Sequence, residues 1–265
     1  MSKEIFCILA FISPIVLGPA SAVAADMSTP FKAPVIPEIA VWNGWYVGIN
    51  GGAINTRDSV VRFTGTDTGG GGLGAALAAG AIPNSFGFDY NGYLIGGTVG
   101  YNWQIHPLWV VGIEGDFDAG QAKQGANIPS ISGAPVVSTI ITREIDDLAT
   151  IRARLGLTIV GPLMFYATGG AAFAEHKLGI GETGALATPI NASSQTSGFV
   201  TGWTTGFGVE FMWGQHWSFK GEYLYVDFGN INSGITYTYP GNTSSLSGVV
   251  KDRDNVVRVG VNYRF

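Results

Sequence analysis

Thiols are nearly absent from this chain: its one cysteine is Cys7. A lone cysteine excludes a disulfide framework and any thiolate metal centre. Charge is also scarce, at 12% of residues against about 25% in soluble domains. The net charge of −5 comes with no basic stripe to neutralise phosphates, so nucleic acid is not an expected partner. Histidine is limited to His106, His176 and His216, with no metal-ligand spacing among them. What is abundant is glycine, 40 residues, together with 12% aromatics. Glycine-rich disordered chains lack aromatics, so this one is read as folded.

The N-terminus accounts for part of the bias. Lys3 gives a basic start, Ile5 to Gly18 is an uncharged apolar run, and Ala22-Val23-Ala24-Ala25 supplies small residues. Basic, apolar and small segments in that order form a secretory signal peptide, with cleavage after Ala24 or Ala25. The expected organisation is a signal peptide over 1–25, a Pro-containing linker over 26–43 and one folded body over 44–265. Cys7 falls in the signal segment, so the exported protein is expected to carry no thiol.

Leu155–Ala174 is twenty residues without a charge, long enough to cross a bilayer as a helix. Its centre reads Val160-Gly161-Pro162, a turn signal, and its flanks alternate with period two. Ile151, Ala153, Leu155, Leu157 and Ile159 alternate with Arg152, Arg154, Gly156 and Thr158. Beyond the turn, Phe165, Ala167, Gly169, Ala171 and Phe173 alternate with Tyr166, Thr168 and Gly170. That is a β-hairpin. The same alternation recurs in segments beginning at Trp45, Ile95, Val111, Trp203, Phe219 and Val257. The total is eight strands of about ten residues, the length that crosses a bilayer at a tilt.

Three joints are short, Gln104–Leu108, Val160–Pro162 and Met212–His216; four are long, about Asn55–Asn91, Gly120–Asp147, Glu175–Gly198 and Phe228–Asp254. The fold class expected is therefore all-β: an eight-stranded antiparallel transmembrane β-barrel of outer-membrane type, with three short periplasmic turns and four long extracellular loops. Whether the first loop prolongs the barrel through Val60–Phe63 is left open. Trp42, Trp45, Trp103, Trp109, Trp213 and Trp217 all fall at the turn end. They are read as a periplasmic aromatic girdle, because indole prefers the membrane interface.

Charged residues take the opposite parity and so face inward, since an arginine in lipid costs up to about 4 kcal/mol. Glu114 and Asp116 stand beside Arg152 and Arg154, and Glu210, Lys220, Glu222, Arg258 and Arg264 continue the set. Such a lattice either lines a pore or proton path or fills the barrel as a plug. Eight strands enclose little more than room for side chains, which favours the plug. Gly96, Gly100, Gly156, Gly170, Gly206, Gly208 and Gly260 share the inward parity, where small residues make room for large ones.

The closing segment, Arg258-Val259-Gly260-Val261-Asn262-Tyr263-Arg264-Phe265, resembles the bacterial β-barrel assembly signal, with Arg258, Gly260, Tyr263 and Phe265 at its marked positions. Lys32-Ala33-Pro34 and the later Trp42-Asn43-Gly44-Trp45-Tyr46-Val47-Gly48 resemble the opening of the alphaproteobacterial outer-membrane immunogenic proteins, small barrels of the porin family. The resemblance implies a surface antigen of the bacterial outer membrane that supports envelope integrity. It implies outer-membrane lipid, lipopolysaccharide and the barrel-assembly machinery as partners, and it leaves self-association open. It brings no catalytic residues and no cofactor.

Other motifs carry little weight. Gly69–Gly74 fits a dinucleotide pattern by letter but lacks its strand–turn–helix context. Asn191-Ala192-Ser193 and Asn242-Thr243-Ser244 match a glycan acceptor that has little meaning in such a barrel. His176 beside Glu175, with Ser193 and Ser194 in a later loop, is the nearest approach to a hydrolase constellation. The chain is read as non-catalytic. The alternatives are a small diffusion channel, or a loop-borne haem site drawing on Tyr90, Tyr237, Tyr239 and His176.

Overall fold

The computed structural model describes residues 42–70, 72–129, 137–185, 189–239 and 241–265; the signal peptide and most of the linker lie outside them. Eight strands follow one another: β1 (Gly44–Asp67), β2 (Ser85–His106), β3 (Trp109–Pro129), β4 (Val137–Val160), β5 (Leu163–Ala185), β6 (Pro189–Trp213), β7 (Trp217–Tyr239) and β8 (Asn242–Arg264). A short helix, α1 (Leu73–Ala78), interrupts the β1–β2 connection. Every strand pairs antiparallel with its sequence neighbour, and β1 pairs with β8 to close the barrel. Closure gives each backbone N–H and C=O of the band in lipid a partner.

The period-two pattern sorts the side chains as alternation demands. On β1, Trp45, Val47 and Ile49 face out while Tyr46 and Asn50 are buried; on β8, Val257 and Val259 face out while Arg258 and Asn262 are buried. The outward apolar run on β8 ends at Asn255 and Arg253, and on β7 at Asp227. Some nine residues per strand therefore cross the lipid, every other one facing it, as a tilted crossing requires.

The strands are much longer than that, from 21 residues in β3 to 25 in β6. The four segments expected as long loops are for the most part continuations of the sheet. β1 runs on through Val61 and Phe63, both buried, to Asp67, which settles the open question about the first connection. Polar, glycine-rich composition hides strand character where neither face is apolar.

Irregularities in the ladders collect where the lipid-facing band ends: between Thr56 and Ser59, Ala119 and Ala122, Ile145 and Leu148, and Asp227 and Gly229. Such bulges add twist and terminate pairing. At the last, Gly229 has φ +76° and donates its N–H to Asp227 Oδ1 at 2.8 Å; a left-handed backbone suits glycine. There β6 and β7 part company, their ladder ending at Trp203↔Asp227. Across the barrel the β2–β3 ladder ends at Tyr93↔Gln121. All other ladders continue outward, to Ala185↔Pro189 and Tyr239↔Asn242 for example. Above the membrane the barrel thus splits into two four-stranded sheets, β3–β4–β5–β6 and β7–β8–β1–β2. Their inner faces enclose an apolar core in which Ile141, Leu178 and Ile180 meet Val61, Phe63, Ile235, Leu246 and Val250.

Candidate functional site

The barrel interior is filled in layers. At the turn end, Trp42, Val110, Met164, Tyr166 and Met212 form an apolar stopper. The polar layer lies above it, and above that Ile54, Leu94, Leu148, Ala172, Leu224 and Val256 begin the distal core.

The polar layer brings together five carboxylates (Glu114, Asp116, Asp118, Glu210, Glu222) and five cations (Arg152, Arg154, Lys220, Arg258, Arg264), all buried. Arg152 donates from Nη2 to Asp116 at 2.7 Å and to Glu114, and from Nη1 to Glu222 at 2.9 Å. Arg258 reaches Glu222 from Nε at 2.7 Å, Asp118 from Nη1 at 2.7 Å and Asp116 from Nη2 at 2.9 Å. Lys220 Nζ lies 3.2 Å from Glu114 Oε2, which also accepts from the Tyr46 hydroxyl at 2.8 Å. Hydroxyls take up remaining lone pairs: Thr98 and Thr150 donate to Asp116 at 2.7 and 2.8 Å. Arg154 binds Glu210 and lies over the Tyr166 ring at 3.7 Å. Glu210 accepts as well from Ser218 at 2.5 Å and Asn262 at 3.0 Å. Isolated buried charges would be prohibitive, whereas a balanced, hydrogen-bonded set is sustainable.

Arg264 joins differently. Its guanidinium donates to the Trp42 carbonyl and lies 5.0 Å from the centre of that indole. This corrects the expectation that Trp42 belongs to the exterior girdle: its relative exposure is 0%. The reason is local. Gly44, with φ +120°, turns the chain over the barrel rim, and the Trp42 N–H donates to Gln104 Oε1 at 2.9 Å. The other five indoles, Trp45, Trp103, Trp109, Trp213 and Trp217, are exposed on the outer face at the turn end. Of the closing segment, Arg258 and Gly260 line the interior, while Tyr263 and Phe265 pack edge to face outside at 5.4 Å.

Sequence reasoning passed over Asp118 and Tyr46, although both share the parity of the lattice. It also passed over a second polar group in the distal half. There buried His176, on β5, sits with Nδ1 3.0 Å from Asp252 Oδ2, against the Phe228 ring at 4.9 Å. Asp254 accepts from Thr56 one pair further in. The alternation Asp252-Asp254-Val256-Arg258 was the available signal. Buried among these side chains, His176 faces neither Ser193 nor solvent, so it offers no hydrolase triad and no ligand for a surface haem.

The glycine run Gly69–Gly74 does open a helix N-terminus, but the anion there belongs to the chain itself. Asp67 accepts from the Ala75 N–H at 2.7 Å, the Gly74 N–H at 3.2 Å and the Ser244 hydroxyl at 2.6 Å, as a capping carboxylate does. The cap fixes α1 over the distal core, with Leu73 buried. Burial alone would raise the Asp67 pKa, but the bonds from Ser244, Ala75 and Gly74 outweigh it and hold the carboxyl below its ordinary value. The cap's contribution is therefore complete above the ordinary carboxylate pKa and is lost as pH falls through the lower folded value. Asp67→Asn should speed amide exchange at Gly74 and Ala75 and remove that pH dependence, leaving the heat-modifiable gel shift of the barrel intact. Unchanged exchange would mean the cap does not hold the helix.

A family model described as outer membrane protein beta-barrel domain matches residues 37–265. The 31 kDa outer-membrane immunogenic protein of Brucella melitensis is 32% identical over 254 residues, covering 92% of this chain and 94% of its own length. The 25 kDa outer-membrane immunogenic protein of Brucella abortus is 29% identical over 170 residues, 64% of each chain. Among solved structures, the outer membrane protein OprG of Pseudomonas aeruginosa aligns with 10% identity and a TM-score of 0.43, covering 84% of this chain and 97% of that one.

Proposed function

Because the chain belongs to the outer-membrane β-barrel domain family, we propose that it is a non-catalytic, internally plugged barrel. Its membrane body stabilises the envelope, and its distal sheets serve as a surface antigen. The observation that carries this reading is the dryness of the interior. The side chains of Arg152, Arg258, Glu114, Asp116, Glu222 and Lys220 are each 0% exposed. A conducting pore wets the charges that line it; here they are spent on one another, between an apolar stopper and an apolar core. On this reading the five outer indoles anchor the periplasmic interface, and Arg258, Gly260, Tyr263 and Phe265 present the closing strand to the barrel-assembly machinery.

The test is conductance of refolded protein in planar bilayers, scored only for samples whose heat-modifiable migration shows a closed barrel. No unitary steps are expected. Reproducible steps from closed barrels would replace the plug with a channel.

A further inference from the structure

The split above the membrane leaves strand edges, and the two splits are not alike. On the β2–β3 side the unpaired stretches carry Asp89 on β2 and Lys123 and Pro129 on β3, the residue types that discourage edge-to-edge association. On the β6–β7 side the one such residue beyond the last shared pair is Pro189, at the outer tip of β6. From Ile190 to Val209 on β6, and from Phe228 to Tyr239 on β7, there is no charge and no proline. Beyond the Trp203↔Asp227 pair the two strands have no ladder with each other, though β6 remains paired to β5 and β7 to β8. Each therefore has one lateral row of backbone donors and acceptors without a strand to meet it. Phe199, on the β6 edge beyond the last paired residue, is 84% exposed.

We propose that this open seam is a self-association surface, in which β6 of one copy pairs with β7 of a second copy and β7 of the first with β6 of the second. The membrane supplies the geometry. Copies inserted in the same direction are related by rotation about the membrane normal, and two seams brought face to face by a twofold rotation place β6 opposite β7 on both sides. Because β6 and β7 run antiparallel within one chain, each intermolecular pair is antiparallel as well. A single inserted foreign strand would be antiparallel to one lip and parallel to the other, whereas the second copy satisfies both. The interface is isologous and closes at two. Below the seam the facing walls carry Trp203 against Tyr225 and Phe207 against Tyr223, with ring centres 5.5 and 5.3 Å apart within each chain.

The scarcity of thiols makes the test clean. In a Cys7→Ser background, Ser197→Cys on β6 and Asn232→Cys on β7 are made in separately tagged chains and co-refolded into lipid bilayers. Gln195→Cys and Asn230→Cys are used as second positions, since the register between copies is free. After oxidation, disulfides joining a β6 cysteine to a β7 cysteine of the other tag should exceed β6–β6 and β7–β7 products by about tenfold. The double variant Ser197→Lys/Asn232→Lys, at exposed edge positions, should abolish the dimer while keeping the heat-modifiable shift of a closed barrel. A predominance of same-edge disulfides, or a population that stays monomeric at all protein-to-lipid ratios, overturns the proposal.

Discussion

Arg152→Met should destabilise the folded barrel by roughly 3–5 kcal/mol, the usual cost of removing one partner from a buried ionic group. Arg152 is the donor that Glu114, Asp116 and Glu222 hold in common, so its loss leaves five buried carboxylates facing four cations, with only Lys220 and Arg258 left to pair the three it held. Methionine fills much of the volume, which confines the change to charge and hydrogen bonding. The measurement is urea-dependent unfolding in lipid bilayers, followed by loss of heat-modifiable migration. A double variant at the more self-contained pair, Arg154→Met with Glu210→Met, should cost less than the sum of its single changes, because it removes both charges together. A shift below about 1 kcal/mol for Arg152→Met would mean that the lattice is wet, and the plug would lose its support.

Gly100→Leu should be strongly damaging. Gly100 lies in register with Tyr46, and a β-carbon at Gly100 would fall 2.3 Å from Cζ and from the hydroxyl oxygen of Tyr46. The ring cannot retreat without breaking the bond from its hydroxyl to Glu114. Overpacking costs about 1–3 kcal/mol, and release of the Glu114 contact adds to that. Three residues earlier on the same strand, Gly97 faces lipid, and the nearest atom to a β-carbon there is the Gly48 carbonyl oxygen at 3.7 Å. Gly97→Leu should be close to neutral. Equal effects at the two positions would mean that the rings do not seat on the inward glycines.

The contrast between Gly97 and Gly100 shows how much of the molecule could be read from its sequence. Within lipid one face of every strand must be apolar, so parity is enforced and the inward residues can be picked out by counting. The lattice became visible that way, and Asp118 was overlooked although the same count includes it. Outside lipid the constraint weakens. On β5, His176-Leu178-Ile180 still alternates with Lys177 and Gly179, because one face covers the distal core. On β6, Asn191–Gly198 has no apolar side chain larger than that of Ala192, and no pattern of apolar spacing can announce a strand there. Trp42 escaped for another reason: it precedes the first strand, and strand parity says nothing about a residue that a glycine turns into the barrel mouth.

The continuity of the sheet beyond the membrane bears on how the cell surface is perceived. Thr236 on β7, Ser245 on β8 and Thr66 on β1 lie side by side in the ladder, and the Thr66 and Ser245 hydroxyl oxygens are 2.7 Å apart. If, as proposed, these sheets are the antigen, an antibody reading their outer faces meets alternate residues of neighbouring strands, drawn from distant parts of the chain. On that reading the epitopes on the sheets are conformational. Sera raised against folded protein should lose most of their binding on boiled protein or on overlapping linear peptides.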